Sequence, residues 1–120
     1  MKLSVTPGLN AKEIAILHYQ LLMEDKWDDW ILTITKIKRK NPKKRGSSPF
    51  YWWNAGRKLV EKGMSYKFKN KDERFSTDKR QKFFFYRLDK EGKESGMPVP
   101  ITVMIDLDDN NEWRVDVSSW

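Results

Sequence analysis

The chain has 120 residues, of which 38% are hydrophobic and 34% charged, so it is long enough for one domain around one hydrophobic core. Its six Trp, six Phe and four Tyr residues exclude a disordered chain, and the lack of cysteine excludes disulfides and thiolate metal sites. The net charge of +7 arises in residues 36–45, which contain seven basic residues and no acid.

The first residues, "MKLSVTPGLNAKE", contain no long apolar run. They give no sign of a signal peptide or a transmembrane segment, so the sequence as written predicts a cytoplasmic protein. An exported domain whose signal has been removed would show the same pattern.

Two helices are predicted before the basic segment. Asn10 followed three residues later by Glu13 forms a capping box, which predicts a helix from this point to Glu24 or Asp25. Its apolar side contains Ile14, Leu17, Leu21 and Leu22, with His18 among them. A second, short helix is predicted because the spacing i, i+3, i+4, i+7 is apolar at Trp27, Trp30, Ile31 and Ile34. The β-branched residues of 31–38 leave a strand as the alternative.

A third helix is predicted after the basic segment. Ser48 is a suitable N-cap, and Pro49 suits the first helical position. Lys62 and Gly63 are typical of a helix C-terminus. The apolar stripe between these ends consists of Trp52, Ala55, Gly56, Leu59 and Val60.

From Met64 onward the apolar period changes to two, which predicts strands. Three of them have one core face, in "MSYKFK", in "PVPITVMIDL" and in the final run where Trp113, Val115 and Val117 alternate with polar residues. The strand "RQKFFFYRL" is apolar on both sides, because Phe83 and Phe85 point one way while Phe84 and Tyr86 point the other. The side that carries Phe84 and Tyr86 therefore requires another surface to pack against it.

This order predicts a single α+β domain over residues 1–120. Three N-terminal helices pack on one face of a curved, mainly antiparallel sheet of about four strands, with a basic loop at about 36–48. The order, the first helix "AKEIAILHYQLLMEDKWDDW" and the ending "PVPITVMIDLDDNNEWRVDVSSW", with its Trp113-Arg114-Val115 signature, resemble the nuclear transport factor 2-like (cystatin-like cone) superfamily. The resemblance implies a cone with a pocket between sheet and helices, in a group that includes isomerases, dehydratases, ligand carriers and assembly modules.

Such a pocket would be lined by aromatic side chains that face it from the helices and the first strand. The predicted lining residues are Tyr19, Trp27, Trp30, Trp52, Trp53 and Tyr66, with whichever of Phe83 or Phe84 faces inward. The alternative is that these rings fill the core, since aromatic side chains carry a large buried area.

His18 is the one histidine, and its ordinary pKa suits proton transfer near neutral pH. It is the candidate for an isomerase or dehydratase reaction, but no carboxylate partner can be placed beside it and no catalytic set is assigned. A buried or half-exposed structural histidine is the alternative. The acids have no metal-ligand spacing and no nucleotide or hydrolase motif occurs, so no metal and no cofactor is predicted.

The basic segment could bind phosphates, with the neighbouring aromatic residues stacking on unpaired bases. A solvated loop, or a site for an acidic protein or an anionic membrane surface, is the alternative. The residues concerned are Lys36, Lys38, Arg39, Lys40, Lys43, Lys44 and Arg45.

The second side of the sheet predicts an interface. Phe84, Tyr86, Thr102 and Met104 would form an exposed apolar patch in a monomer, and such patches usually mark contact surfaces. We expect a homodimer that buries this face. For the domain as a whole we expect a non-catalytic module that binds a small apolar or amphipathic molecule or another protein, with nucleic-acid binding and His18-based catalysis as the alternatives.

Overall fold

Helices make up the N-terminal half of the computed structural model, which describes residues 3–120. Helix α1 spans Ala11–Met23, α2 is the single turn Trp27–Trp30, and α3 spans Ser48–Glu61. The predicted capping box is present, since the Asn10 side chain accepts from the Glu13 N–H at 2.8 Å and the Glu13 side chain accepts from the Asn10 N–H at 3.0 Å.

A left-handed residue ends α1 and turns the chain into α2. Asp25 has φ of 59°, a conformation usually taken by glycine and tolerated by Asp and Asn. The Asp25 N–H donates to Leu22 O at 3.3 Å and the Lys26 N–H donates to Leu21 O at 3.0 Å. These two bonds form a Schellman closure, which satisfies carbonyls at the end of the helix.

Residues 31–38 combine helical turns with one extended step. A 3₁₀ turn at Ile31–Thr33 continues α2, and a second 3₁₀ turn spans Lys36–Arg39. Between them Ile34 is extended and forms a parallel bridge with Val115, while the Thr35 N–H donates to Val115 O at 3.0 Å. The helix and strand alternatives each describe part of this segment. The two turns are separated by Ile34 and Thr35, which bond to the edge of the sheet.

Four antiparallel strands follow in the order β1-β2-β3-β4, in an open sheet. Strand β1 spans Ser65–Lys71, β2 Arg80–Leu88, β3 Val99–Asp106 and β4 Glu112–Val117. The predicted α+β class, with helices before a curved antiparallel sheet, is confirmed.

The core lies between α1 and the inner face of the sheet. Helix α3 approaches α1 closely at Gly56, where an added Cβ would be 2.7 Å from a methyl carbon of Leu22. The aromatic and aliphatic side chains that fill the space include Tyr19, Leu21, Trp30, Ile34, Tyr66, Phe83, Phe85, Ile101, Val103 and Val115.

The predicted alternation of core-facing residues is wrong at the last residue of two segments. Leu107 lies in the turn after β3 and is 80% exposed, and Val117 is 44% exposed. The register shifts between Thr102 and Val103, so that Val117 pairs with Thr102 on the outer face. A bulge of this kind adds a residue to one strand and reverses the side to which later residues point. None of the helices in residues 3–120 has the length and apolar character needed to cross a membrane.

Candidate functional site

A groove of about 490 Å³ lies between the turn that follows α1 and the first part of α3. We call it the aromatic groove. Three rings line it, and four polar side chains surround them. The lining residues are Asp25, Trp27, Asp28, Lys43, Phe50, Trp53 and Asn54.

The indole rings of the aromatic groove belong to a cluster that extends into the core. The Trp27 and Trp53 ring centroids are 5.2 Å apart in an edge-to-face arrangement. Both pack on Trp30, at 5.4 Å and 5.1 Å, and Trp30 is fully buried. Because a buried ring supports them from behind, the two outer indoles are held in defined orientations.

A cation already lies against one wall of the groove. The Lys43 ammonium nitrogen is 5.4 Å from the Trp27 ring centroid. Asp25 is 3.6 Å from the Arg57 guanidinium, whereas Asp28 has no cationic side chain within 4.0 Å among residues 3–120. The groove therefore combines aromatic faces with carboxylates, which are the groups that attract a cation.

Hydrogen bonds at Ser47 connect the turn that contains Lys43 to the start of α3. Ser47 is the N-cap of α3, one residue before the position predicted from Ser48, and its Oγ accepts from the Phe50 N–H at 3.3 Å. The same hydroxyl donates to Pro42 O at 2.9 Å. The basic segment is thus joined to the start of the helix that carries Phe50 and Trp53.

The residues predicted to line one pocket lie in three environments. Trp27 and Trp53 line the aromatic groove, which is outside the space between sheet and helices. Trp52 is half-buried, with the Lys38 ammonium 5.7 Å from its ring centroid. The remaining residues, Tyr19, Trp30 and Tyr66, are buried in the core.

The two buried tyrosines stack on each other with ring centroids 4.6 Å apart. The Tyr19 hydroxyl donates to Ser119 O at 2.9 Å, while the buried Tyr66 hydroxyl has no hydrogen-bond partner among residues 3–120. Burial raises the pKa of Tyr19 well above its ordinary value and raises the pKa of Tyr66 to about 12, with Arg87 opposing the second shift. Both phenols are therefore neutral at physiological pH.

His18 lies inside the core, 1% exposed, with both ring nitrogens bonded to hydroxyls. Thr33 Oγ1 donates to Trp30 O at 2.7 Å, so it accepts from His18 Nδ1–H at 2.8 Å. His18 Nε2 then accepts from the Ser118 hydroxyl at 2.9 Å. Burial lowers the pKa of His18 from 6.5 to about 3. This arrangement favours a structural role that ties α1 to the segment after β4 over a role in proton transfer.

Two cations of the basic segment are bound by acids near the end of the sheet. Lys38 pairs with Asp116 at 2.8 Å and also donates to the Asp116 carbonyl. Arg39 pairs with Asp109, which also pairs with Arg114 at 2.8 Å. Burial alone would raise the pKa of each of these aspartates, but the hydrogen bonds and charges of their basic partners outweigh it and lower both pKa values.

The other five predicted anion-binding residues are exposed. The charged side-chain groups of Lys36, Lys40, Lys44 and Arg45 have no carboxylate oxygen within 4.0 Å among residues 3–120, and the Lys43 ammonium lies over Trp27. Lys36 donates its backbone N–H to Asp106 at 2.7 Å. The acids around the turn after β3 therefore offset part of the charge of the segment, which was not apparent from residues 36–45 alone.

The residues predicted to form a dimer face share one side of the sheet. The register pairs Phe84 with Pro100 and Arg80 with Met104, and Thr102 pairs with Lys82. Phe84, Tyr86, Thr102 and Met104 are each half-buried. Within residues 3–120, no cluster of three or more potential ligands is arranged to hold a metal ion.

No protein-family model, curated protein or solved structure matched the chain. The resemblance to the nuclear transport factor 2-like superfamily stays a prediction.

Proposed function

We propose that this chain is a non-catalytic binding domain whose aromatic groove takes a small organic cation with an apolar body, such as a quaternary ammonium compound. The supporting observation is the Lys43 ammonium, which lies 5.4 Å from the Trp27 ring in a groove that also contains two carboxylates. Lys43 acts as an internal occupant of the site that the ligand would displace.

The chemistry of the groove suits a weakly hydrated cation. An ammonium group over an indole face gains roughly 0.5–2 kcal/mol, more as water is excluded. Asp28 is free of ion pairs within residues 3–120 and adds charge complementarity. Asn54 is tied by its side-chain amide to Phe50 O at 2.7 Å, which positions the Phe50 end of the groove.

The other two hypotheses have less support. His18 is enclosed in the core and does not line the groove, so a reaction based on it would lack access to a ligand there. In the basic segment, Lys38 and Arg39 are already paired with aspartates, which reduces the number of charges available for phosphates.

The test compares choline with 3,3-dimethyl-1-butanol, which has the same shape without the charge. Isothermal titration calorimetry should show choline binding at least about fivefold more tightly, as expected for a cation on an aromatic face. Equal binding of the two compounds, or no binding of choline at millimolar concentration, would overturn the proposal.

Matched variants then locate the site. Asp28→Asn should weaken choline binding by about threefold to tenfold, since it removes the unpaired carboxylate, while Asp29→Asn removes a neighbouring acid outside the groove and should have no effect. Lys43→Gln should tighten binding because the internal occupant is gone, whereas Lys44→Gln should not. If the two members of either pair behave alike, the ligand binds elsewhere.

A further inference from the structure

The outer face of the sheet carries rings and cations together. We use "outer face" for the side opposite α1. Its aromatic residues are Phe84 and Tyr86 of β2, with Phe75 at its border in the 3₁₀ turn Glu73–Phe75. Its cationic residues are Lys67, Lys69, Arg80 and Lys82.

Cationic side chains lie over each ring of this face. The Lys82 ammonium is 4.9 Å from the Phe75 ring centroid and 5.2 Å from that of Phe84. The Lys69 ammonium is 5.8 Å from the Tyr86 ring centroid. The ammonium groups therefore lie over the ring faces, where they form cation–π contacts that a stacked base would replace.

The β1–β2 half of this face is positively charged. Among residues 3–120 no carboxylate lies within 4.0 Å of Lys67, Lys69 or Lys82. Asp116, on the edge strand β4, is shared between Arg80 at 2.8 Å and Lys38 at 2.8 Å. That carboxylate offsets part of the charge of Arg80, so the cations of the outer face without an acid partner are the three lysines.

We infer that the outer face is a binding surface for single-stranded nucleic acid, with Phe84 and Tyr86 stacking on unpaired bases while Lys67, Lys69 and Lys82 contact phosphates. Residues two apart on a strand lie about 6.6 Å from each other on the same face, so each ring can take its own base. Aromatic residues on a four-stranded sheet, and aromatic residues in positively charged grooves, are established means of binding unpaired bases.

A second copy of the chain fits this face less well. In a two-fold dimer the same patch meets itself, so residues near the symmetry axis face their own equivalents. The lysines around Phe84 and Tyr86 would then approach one another without carboxylates to pair with them. A polyanion instead neutralises these charges and releases counterions on binding.

The test measures fluorescence anisotropy of a labelled single strand of about 12 nucleotides, a length in the range that such surfaces cover. We expect saturable binding at low salt that weakens steeply between about 50 mM and about 200 mM salt. A duplex of the same sequence should bind more weakly, because its bases are not available for stacking.

Two sets of variants separate this face from the basic segment. The triple change Lys67→Gln, Lys69→Gln, Lys82→Gln should reduce the affinity at least about tenfold and lower the salt slope by about 2. The control Lys40→Gln, Lys44→Gln, Arg45→Gln removes the same charge from the basic segment, and its effect should be at most about threefold at moderate salt.

A separate variant tests whether the rings stack on bases. The double change Phe84→Leu, Tyr86→Leu keeps apolar side chains but removes the ring faces, so we expect a loss of about tenfold or more. Unchanged affinity in this variant, or an equal loss in the two glutamine triples, would overturn the inference. So would a light-scattering mass of a dimer that Phe84→Lys converts to a monomer, because the face would then be a contact between copies.

Discussion

The two sides of strand β2 show how neighbouring residues of one type acquire different roles. Phe83 and Phe85 are each 2% exposed and pack in the core, whereas Phe84 and Tyr86 are half-buried beneath lysine side chains. On the inner side both rings pack against Phe68, and Phe85 also packs against the neutral phenol of Tyr19. On the outer side the covering groups are ammonium groups in water. The same aromatic residues stabilise the fold on one side and present a charged surface on the other.

The largest effect is expected when one ring on each side of β2 is truncated. The Phe85 ring lies 4.5 Å from Tyr19 and 5.6 Å from Phe68, so Phe85→Ala should lower the free energy of unfolding by about 3–5 kcal/mol. Phe84→Ala should lower it by about 1 kcal/mol or less. Urea unfolding followed by tryptophan fluorescence measures both values, and similar losses would remove the distinction between the two sides.

Lowering the pH should destabilise the protein through His18 in the core. The folded pKa of His18, about 3, lies below its ordinary value of 6.5, so between these values the unfolded chain binds a proton that the folded chain does not. Stability is therefore complete above pH 6.5 and falls as the pH is lowered through this window, with a slope that approaches about 1.4 kcal/mol per unit.

Urea unfolding between about pH 7 and about pH 5 measures this slope, because the lowered carboxylate pKa values affect stability only in more acidic solution. In His18→Gln the slope should be much smaller, although the variant itself is less stable. A wild-type protein whose stability is constant over this range would show that the imidazole is accessible to protons in the folded state.

The smallest effect is expected on the outer side. Lys82→Met keeps an unbranched apolar side chain and removes the ammonium group that lies over Phe75 and Phe84, so the loss of stability should be about 0.5–1 kcal/mol. Lys79 is an exposed lysine just before β2 whose ammonium lies over neither ring, so Lys79→Met serves as the control with a change within about 0.5 kcal/mol. Thermal unfolding of the two variants side by side would detect the difference, and equal values would mean that the charge over the rings contributes nothing.

The sequence predicted the fold well because the patterns that determine it are local. The capping box at Asn10 and the change of period at Met64 each depend on residues within a few positions. Leu107 and Val117 were misassigned because a turn and a register shift depend on the partner strand, which the alternation of a single strand does not reveal.

The candidate sites were less predictable for the same reason. The aromatic groove joins Asp25 and Asp28 to Lys43 and to Trp53, which come from three separate segments. Trp27 and Trp53 were both expected to line a pocket between the sheet and the helices, whereas the groove that they line is outside that space. The pairing of Lys38 with Asp116 spans 78 residues, and no feature of the basic segment indicated that two of its charges would be bound.

The hydrogen bond from Ser118 to His18 also constrains the order of folding. The sheet is a meander in which each strand pairs with its neighbour along the chain, so its loops are short and close at low entropic cost. The bond to His18 and the bond from Tyr19 to the Ser119 carbonyl each span 100 residues. We therefore expect the hairpins to form first, with α1 docking late in the transition, which would give low φ-values in α1 and higher ones around the β3–β4 hairpin, whose connection is the shortest in the sheet.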